Sequence, residues 1–214
     1  MISEGFRFST NRNGDSVVTK YVSHKEVYVK FIDTGFERKT SSVEIKRGTV
    51  KDLMKRSIFG VGFIGGVRHK AKINGSLTDP YVCYSSMMAR CYSPRYQKGK
   101  PSYTGCTVCE EWHNFQNFAD WYYENYPDDG GRYELDKDSL VDGNKIYSPS
   151  TCTFISGAEN SIKAHAKSYR FKNPDGVYVD IYNLTDFCRK NNLQQASMSA
   201  VSLGKRKQHK GWTI

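Results

Sequence analysis

The chain has 214 residues, enough for two or three small modules with modest cores, and its 14% aromatic content supports packed interiors. Its 32 Lys and Arg against 22 Asp and Glu leave a formal +10, an excess that points toward an anionic partner such as nucleic acid. Nothing near the N-terminus reads as a signal peptide, no apolar run nears the roughly 18 residues of a membrane span, and six cysteines do not form a secreted disulfide framework.

A soluble chain with free thiols is expected, and the charge is unevenly placed. Residues 1–78 hold 15 basic and 7 acidic side chains, residues 79–160 hold 7 and 12, and residues 161–214 hold 10 and 3. Two basic ends around an acidic middle suit a protein that grips a polyanion and holds a divalent ion at its centre.

In chain order, residues 16–21, 26–32 and 42–46 read as strands of a small β-module, separated by turns at Asn13-Gly14 and Thr34-Gly35. A short helix is expected over 51–57 and a hinge over the glycine-rich 60–66. The tripeptide Glu44-Ile45-Lys46 with Asp33 upstream has the residue types of a metal-dependent nuclease core, but it arises by chance too often to carry a function.

The next section predicts a helix over 82–91, a basic loop over 93–105 with Arg95, Lys98 and Lys100 in reach of a phosphate, and a helix over 110–126. Trp112, Phe115, Phe118, Ala119 and Tyr122 form an apolar stripe on that second helix and are read as core. Cys106 and Cys109 have half of a zinc-knuckle spacing, but Cys83 and Cys91 do not complete it, so buried thiols are expected and structural zinc is not.

Residues 133–160 read YELDKDSLVDGNKIYSPSTCTFISGAEN. An alternating segment ends in Asp136-Lys137-Asp138, a Gly143-Asn144 turn and a second strand-like run follow, and a helix begins near Asn160 and runs to about residue 166. Any Asp-, Asn- and Gly-rich turn would account for these residues in structural terms. The order nonetheless resembles the HNH, or ββα-metal, motif of phage homing endonucleases. The resemblance implies that Asp136 and Asn160 bind one Mg²⁺ or Mn²⁺, that Asn144 is the loop asparagine, and that Lys137 stands where the family has its general-base histidine. Lysine is ordinarily protonated at neutral pH, with a reference pKa of about 10.4. It could instead stabilise phosphate charge, leaving Asp138, His165 or bulk hydroxide to activate water, with His165 preferred.

Beyond it, a basic loop over 170–176 and a strand over 177–182 precede two short helices in 183–204, the first capped by Thr185. Leu184, Phe187, Cys188, Leu193, Met198 and Val201 are expected to close a miniature core. The second helix would then expose Gln195, Ser197, Ser199 and Ser202 to base edges, with Lys205, Arg206, Lys207 and Lys210 on phosphates. Residues 171–214, with the ending Gly204-Lys205-Arg206 and Lys210-Gly211-Trp212, resemble the modular helix-turn-helix repeat at the C-terminus of such nucleases.

The expected architecture is therefore α+β: a β-rich module that grips DNA backbone (1–66), an HNH-like module with preceding helices (67–168) and a helix-turn-helix (169–214). The resemblance implies a site-specific DNA endonuclease that nicks one strand, encoded by a phage and acting as a monomer on double-stranded DNA in the bacterial cytoplasm. The alternative is a sequence-specific DNA-binding protein that descends from such a nuclease and has lost catalysis at Lys137.

Overall fold

The computed structural model describes residues 1–141, 143–165 and 167–214, with the side chains of 163–165 left out, and has mixed α and β structure. Contact density divides the chain into two units. One comprises Met1–Asp128 and Leu135–Phe154, the other Asp129–Glu134 and Ile155–Ile214. Among the described residues no helix is long and apolar enough to cross a membrane.

The first unit begins with a four-stranded antiparallel sheet in the order β1 (Arg7–Thr10), β2 (Gly14–Ser23), β3 (Glu26–Phe31), β4 (Glu37–Thr40). Val18, Val27, Val29 and Phe31 fill its inner face with Ile45 and Val50. Residues 42–46, expected as a strand, form instead the helix α1 (Ser42–Arg47). The cause is local: Ser41 accepts from the Glu44 N–H while the Glu44 carboxylate accepts from the Ser41 N–H, a capping box that satisfies two orphan donors. Gly48 at φ 64° then closes the helix.

No helix forms over 51–57. The stretch 60–66 is not a hinge either, since it is pinned to the larger core. Phe63 N–H donates to the His113 carbonyl, Phe115 N–H donates back to Phe63, and the buried Gln116 amide donates to the carbonyls of Ile64, Gly66 and His69. A small exposed hairpin, β5 (Lys72–Ile73) and β6 (Ser76–Leu77), leads to α2 (Asp79–Tyr92). The basic stretch expected as a loop contains the short helix α3 (Pro94–Gly99), started by Pro94 and by Ser93, whose hydroxyl accepts from the Tyr96 N–H. After β7 (Thr107–Val108), a 3-10 turn over Glu110–His113 and α4 (Phe115–Asn125) replace one continuous helix, because Asn114 caps α4 through the Gln116 N–H. Trp112, Phe115, Phe118, Ala119 and Tyr122 are buried with Tyr84, Met87 and Met88, the core role read from their spacing.

The chain then runs through β8 (Tyr133–Asp136), β9 (Ile146–Tyr147), β10 (Thr153–Ser156) and α5 (Gly157–His165). β8 pairs with β10, while β9 leaves that pair and runs parallel to β7. Both β8 and β10 cross from one unit to the other.

In the second unit, β11 (Ser168–Lys172) and β12 (Tyr178–Tyr182) form an antiparallel hairpin followed by α6 (Leu184–Lys190) and α7 (Gln195–Ser202). Phe171, Ile181, Leu184, Cys188, Met198 and Val201 are buried together, with Phe187, Leu193 and Trp212 packed against them. The cap of α6 is Asn183 at φ 60° rather than Thr185, since an asparagine tolerates the left-handed backbone and its side chain accepts from the Asp186 N–H. The final residues fold back. His209 and Trp212 exchange backbone hydrogen bonds, Lys172 and Thr213 do the same, and Gly211 packs so closely on Pro174 that an added Cβ would lie 3.0 Å away.

Candidate functional site

In the first unit, three residues of the sequence-expected site interlock. The alternation of β8 continues past its end, so that Leu135 and Lys137, each 6% exposed, turn inward while Asp136 and Asp138 stay partly exposed. The Lys137 ammonium donates to Asp138 Oδ1 at 2.5 Å and to the Asn144 carbonyl at 2.6 Å. Asn144 answers with its amide, donating to the carbonyls of Lys137 (2.9 Å) and Ile146 (2.6 Å), while its Oδ1 accepts from the Ile146 N–H. The loop is thus closed across 137–144 by reciprocal bonds, and the β7–β9 pairing fastens its far end to the core.

Asp136 is oriented within the same loop: its carboxylate accepts from the Asp138 N–H at 3.2 Å and from the Ser139 hydroxyl. Beneath β8, Arg90 approaches the Leu135 carbonyl and lies over the Tyr103 ring at 5.6 Å. Burial raises the Tyr147 phenol well above its ordinary value, with the neighbouring Arg90 opposing the shift. Arg90 was missed at the sequence level. The only signal available was a cation on an otherwise core-facing helix.

In the second unit, α5 starts with a capping box. Ser156 accepts from the Glu159 N–H, and the Glu159 carboxylate accepts from the Ser156 N–H and hydroxyl, which holds that carboxyl below its usual pKa. This sets the helix start three residues before Asn160, earlier than expected. The Asn160 amide donates to the Glu134 carboxylate, a partner the sequence reading did not anticipate. The side chain of His165, the preferred base, lies outside the described residues.

The expected DNA-contacting residues divide by exposure. Arg95, Lys98 and Lys100 are exposed on α3 and at its end, as are Gln195 at the start of α7 and Lys205, Arg206, Lys207 and Lys210 beyond it. Ser197 corrects the expectation of an exposed face: it is 9% exposed, accepts from the Arg206 guanidinium at 3.0 Å and donates to Gln194. Ser199 and Ser202 are half-buried, and the Ser202 hydroxyl is spent on the Ser199 carbonyl. Arg206 and Lys210 also tie the terminal fold together, Lys210 through the Asn192 carbonyl.

All six cysteines are free thiols, and burial pushes Cys83, Cys91 and Cys152 up to about 12. Among the described residues no group of three or more His, Cys, Asp or Glu side chains is arranged to hold a metal ion. Comparison with protein-family models, with curated proteins and with solved structures gives no match.

Proposed function

We propose that the chain is a metal-dependent, site-specific DNA endonuclease that nicks one strand of a duplex. The observation that carries this reading is the order of the segment 133–165: β8, a stretch tied by Lys137 and Asn144 with Asp136 and Asp138 beside it, the short β9, then β10 paired with β8, and a helix capped just ahead of Asn160. The donors fit a hard divalent ion in kind, since Asp136 offers carboxylate oxygens and Asn160 an amide oxygen. Held by donors of this kind, Mg²⁺ or Mn²⁺ would supply a Lewis acid that neutralises charge on the phosphoryl oxygens.

The chain's own groups divide the remaining work. Lys137 does not serve as the base in this reading, because its ammonium is committed to Asp138 and the Asn144 carbonyl. It holds Asp138, whose side chain is 34% exposed, as the group that takes a proton from water. α7 and the basic residues after it hold duplex DNA, with Gln195 as the side chain best exposed for a base edge. The protein acts as a monomer, so one site cuts one strand.

The second reading, a DNA-binding protein without catalysis, is favoured by the same ion pair, which fills the base position with a buried cation. Supercoiled plasmid carrying the DNA that flanks the gene, incubated with the protein and Mg²⁺ or Mn²⁺, separates them. Open circles support the nuclease, and tight binding without a cut under either ion selects the binding protein.

A further inference from the structure

The segment 51–72 carries six cations, Lys51, Lys55, Arg56, Arg68, Lys70 and Lys72, and one acid. That acid, Asp52, is 6% exposed and bonded to the Thr34 hydroxyl and the Met54 N–H, and Arg68 is paired with Asp120, which leaves Lys51, Arg56, Lys70 and Lys72 exposed and Lys55 half-buried on a positive strap. Lys55 donates to the Arg12 carbonyl and so brings a further cation alongside it.

Within this strap the chain makes a tight turn. Ile58 and Gly62 exchange backbone hydrogen bonds of 2.9 Å, and both are anchored: Ile58 is buried in the core, and Gly62 lies so close to Tyr84 and Met88 that a Cβ there would collide with them. At the tip stands Phe59, with φ 51° and 43% of its surface exposed. Neither property favours a phenylalanine. The left-handed backbone strains a side-chain-bearing residue, and the exposed part of the ring forgoes burial. Gly60 beside it has positive φ without penalty, so the turn geometry does not require an aromatic at 59.

A rigidly mounted, strained, exposed ring flanked by cations has the chemistry of a wedge for a nucleic acid. Cations hold phosphates on either side of a groove, and an apolar side chain inserted between base pairs unstacks one step and bends the duplex. We propose that the Phe59 turn is a duplex-DNA wedge, with Arg56, Lys55 and Arg12 as its phosphate contacts. The proposal rests on the DNA partner argued above but concerns a surface apart from the 136–144 loop, and it adds DNA deformation to the chain's action.

The test uses the full chain and a fluorescein-labelled duplex of mixed sequence with 2-aminopurine at its TA steps, which are the easiest to unstack. Wild-type protein is expected to raise the 2-aminopurine fluorescence. Phe59→Gly is expected to abolish that rise and to weaken binding roughly tenfold, with the salt slope unchanged, because stacking carries no counterion term. The same variant should melt at a higher temperature than wild type, since glycine relieves the strained φ; a merely structural Phe59 would lower it. Arg56→Ala is expected to reduce the salt slope by roughly one. Phe59→Gly binding as tightly as wild type with an unchanged 2-aminopurine signal would overturn the wedge while leaving the nuclease reading intact. Wild-type protein that binds no duplex at all would overturn both.

Discussion

In an extended chain successive side chains face opposite ways, and the run Leu135, Asp136, Lys137, Asp138 obeys this rule beyond the last residue of β8. The alternation was legible in the sequence, and it carries a consequence for Lys137 that residue type alone conceals. A lysine in the place of a base reads as a choice between neutral nucleophile-activator and phosphate clamp, whereas its inward direction makes it a tether. Asp136 was legible as a residue at the end of a strand and Asn144 as part of a turn. The partners of Asp136 and Asn160, Ser139 and Glu134, were not, because hydrogen bonds across a folded loop or between a strand and a helix leave no spacing signature. Lys137→Met should therefore lower stability by roughly 2 kcal/mol in denaturant melts, since it strips charge-assisted bonds from Asp138 and the Asn144 carbonyl. Lys137→Arg should restore part of that loss, and a Met variant as stable as wild type would count against the tether. Asp138→Asn should reduce nicking at least a hundredfold while leaving duplex affinity within a factor of about two, as expected for a proton acceptor that does not contribute to DNA binding.

The elements show where periodicity informs and where caps decide. Phe115, Phe118, Ala119 and Tyr122 on α4 and the small apolar set from Leu184 to Val201 were readable because burial within a helix follows the 3.6-residue period, whereas Trp112 is buried from the 3-10 turn ahead of α4. Residues 42–46 were misread as a strand because β-branched and charged residues there also suit alternation, while Ser41 and Glu44 form the capping box that commits the stretch to α1. The second helix of the terminal hairpin was placed correctly, but Ser197 turns inward because Arg206 returns to bond it, a contact that only the folded terminus creates. The glycine-rich stretch misled for a related reason: a glycine marks close approach as readily as flexibility. Gly65, at φ 76°, has the Asn114 side chain within 1.7 Å of where a Cβ would stand, and Asn114 caps α4. Gly65→Ala should cost roughly 3 kcal/mol, from the left-handed backbone and the displaced cap together, measured by thermal or denaturant unfolding. Gly60→Ala, with open space around its Cβ position, should cost clearly less. Equal losses would show that the contact with Asn114 is not what fixes the turn.

Across the whole chain, the charge distribution and the buried thiols set the bulk behaviour. Cys83, Cys91 and Cys152 have folded pKa values near 12 against the ordinary 9.0 because burial penalises the thiolate. Above pH 9 the unfolded chain releases these protons while the folded chain retains them, so stability present below pH 9 is lost as pH rises toward 12. Unfolding midpoints should fall over that window, and replacement of the three residues by Ser or Ala should flatten the fall. The basic excess lies at the two ends of the sequence around an acidic middle. That distribution was visible from residue counts alone. Which acids cooperate was not, since it depends on loops closed by Lys137 and Asn144. In the proposed division of labour, the acidic middle cuts what the basic ends hold. The most direct measurement is nicking of supercoiled plasmid with Mg²⁺ by wild type and by Asp136→Ala, with DNA binding of both proteins recorded in the same samples. Wild type is expected to give open circles, and Asp136→Ala none although it still binds; equal nicking by the two proteins, or binding without any cut by wild type under Mg²⁺ or Mn²⁺, would rule that division of labour out.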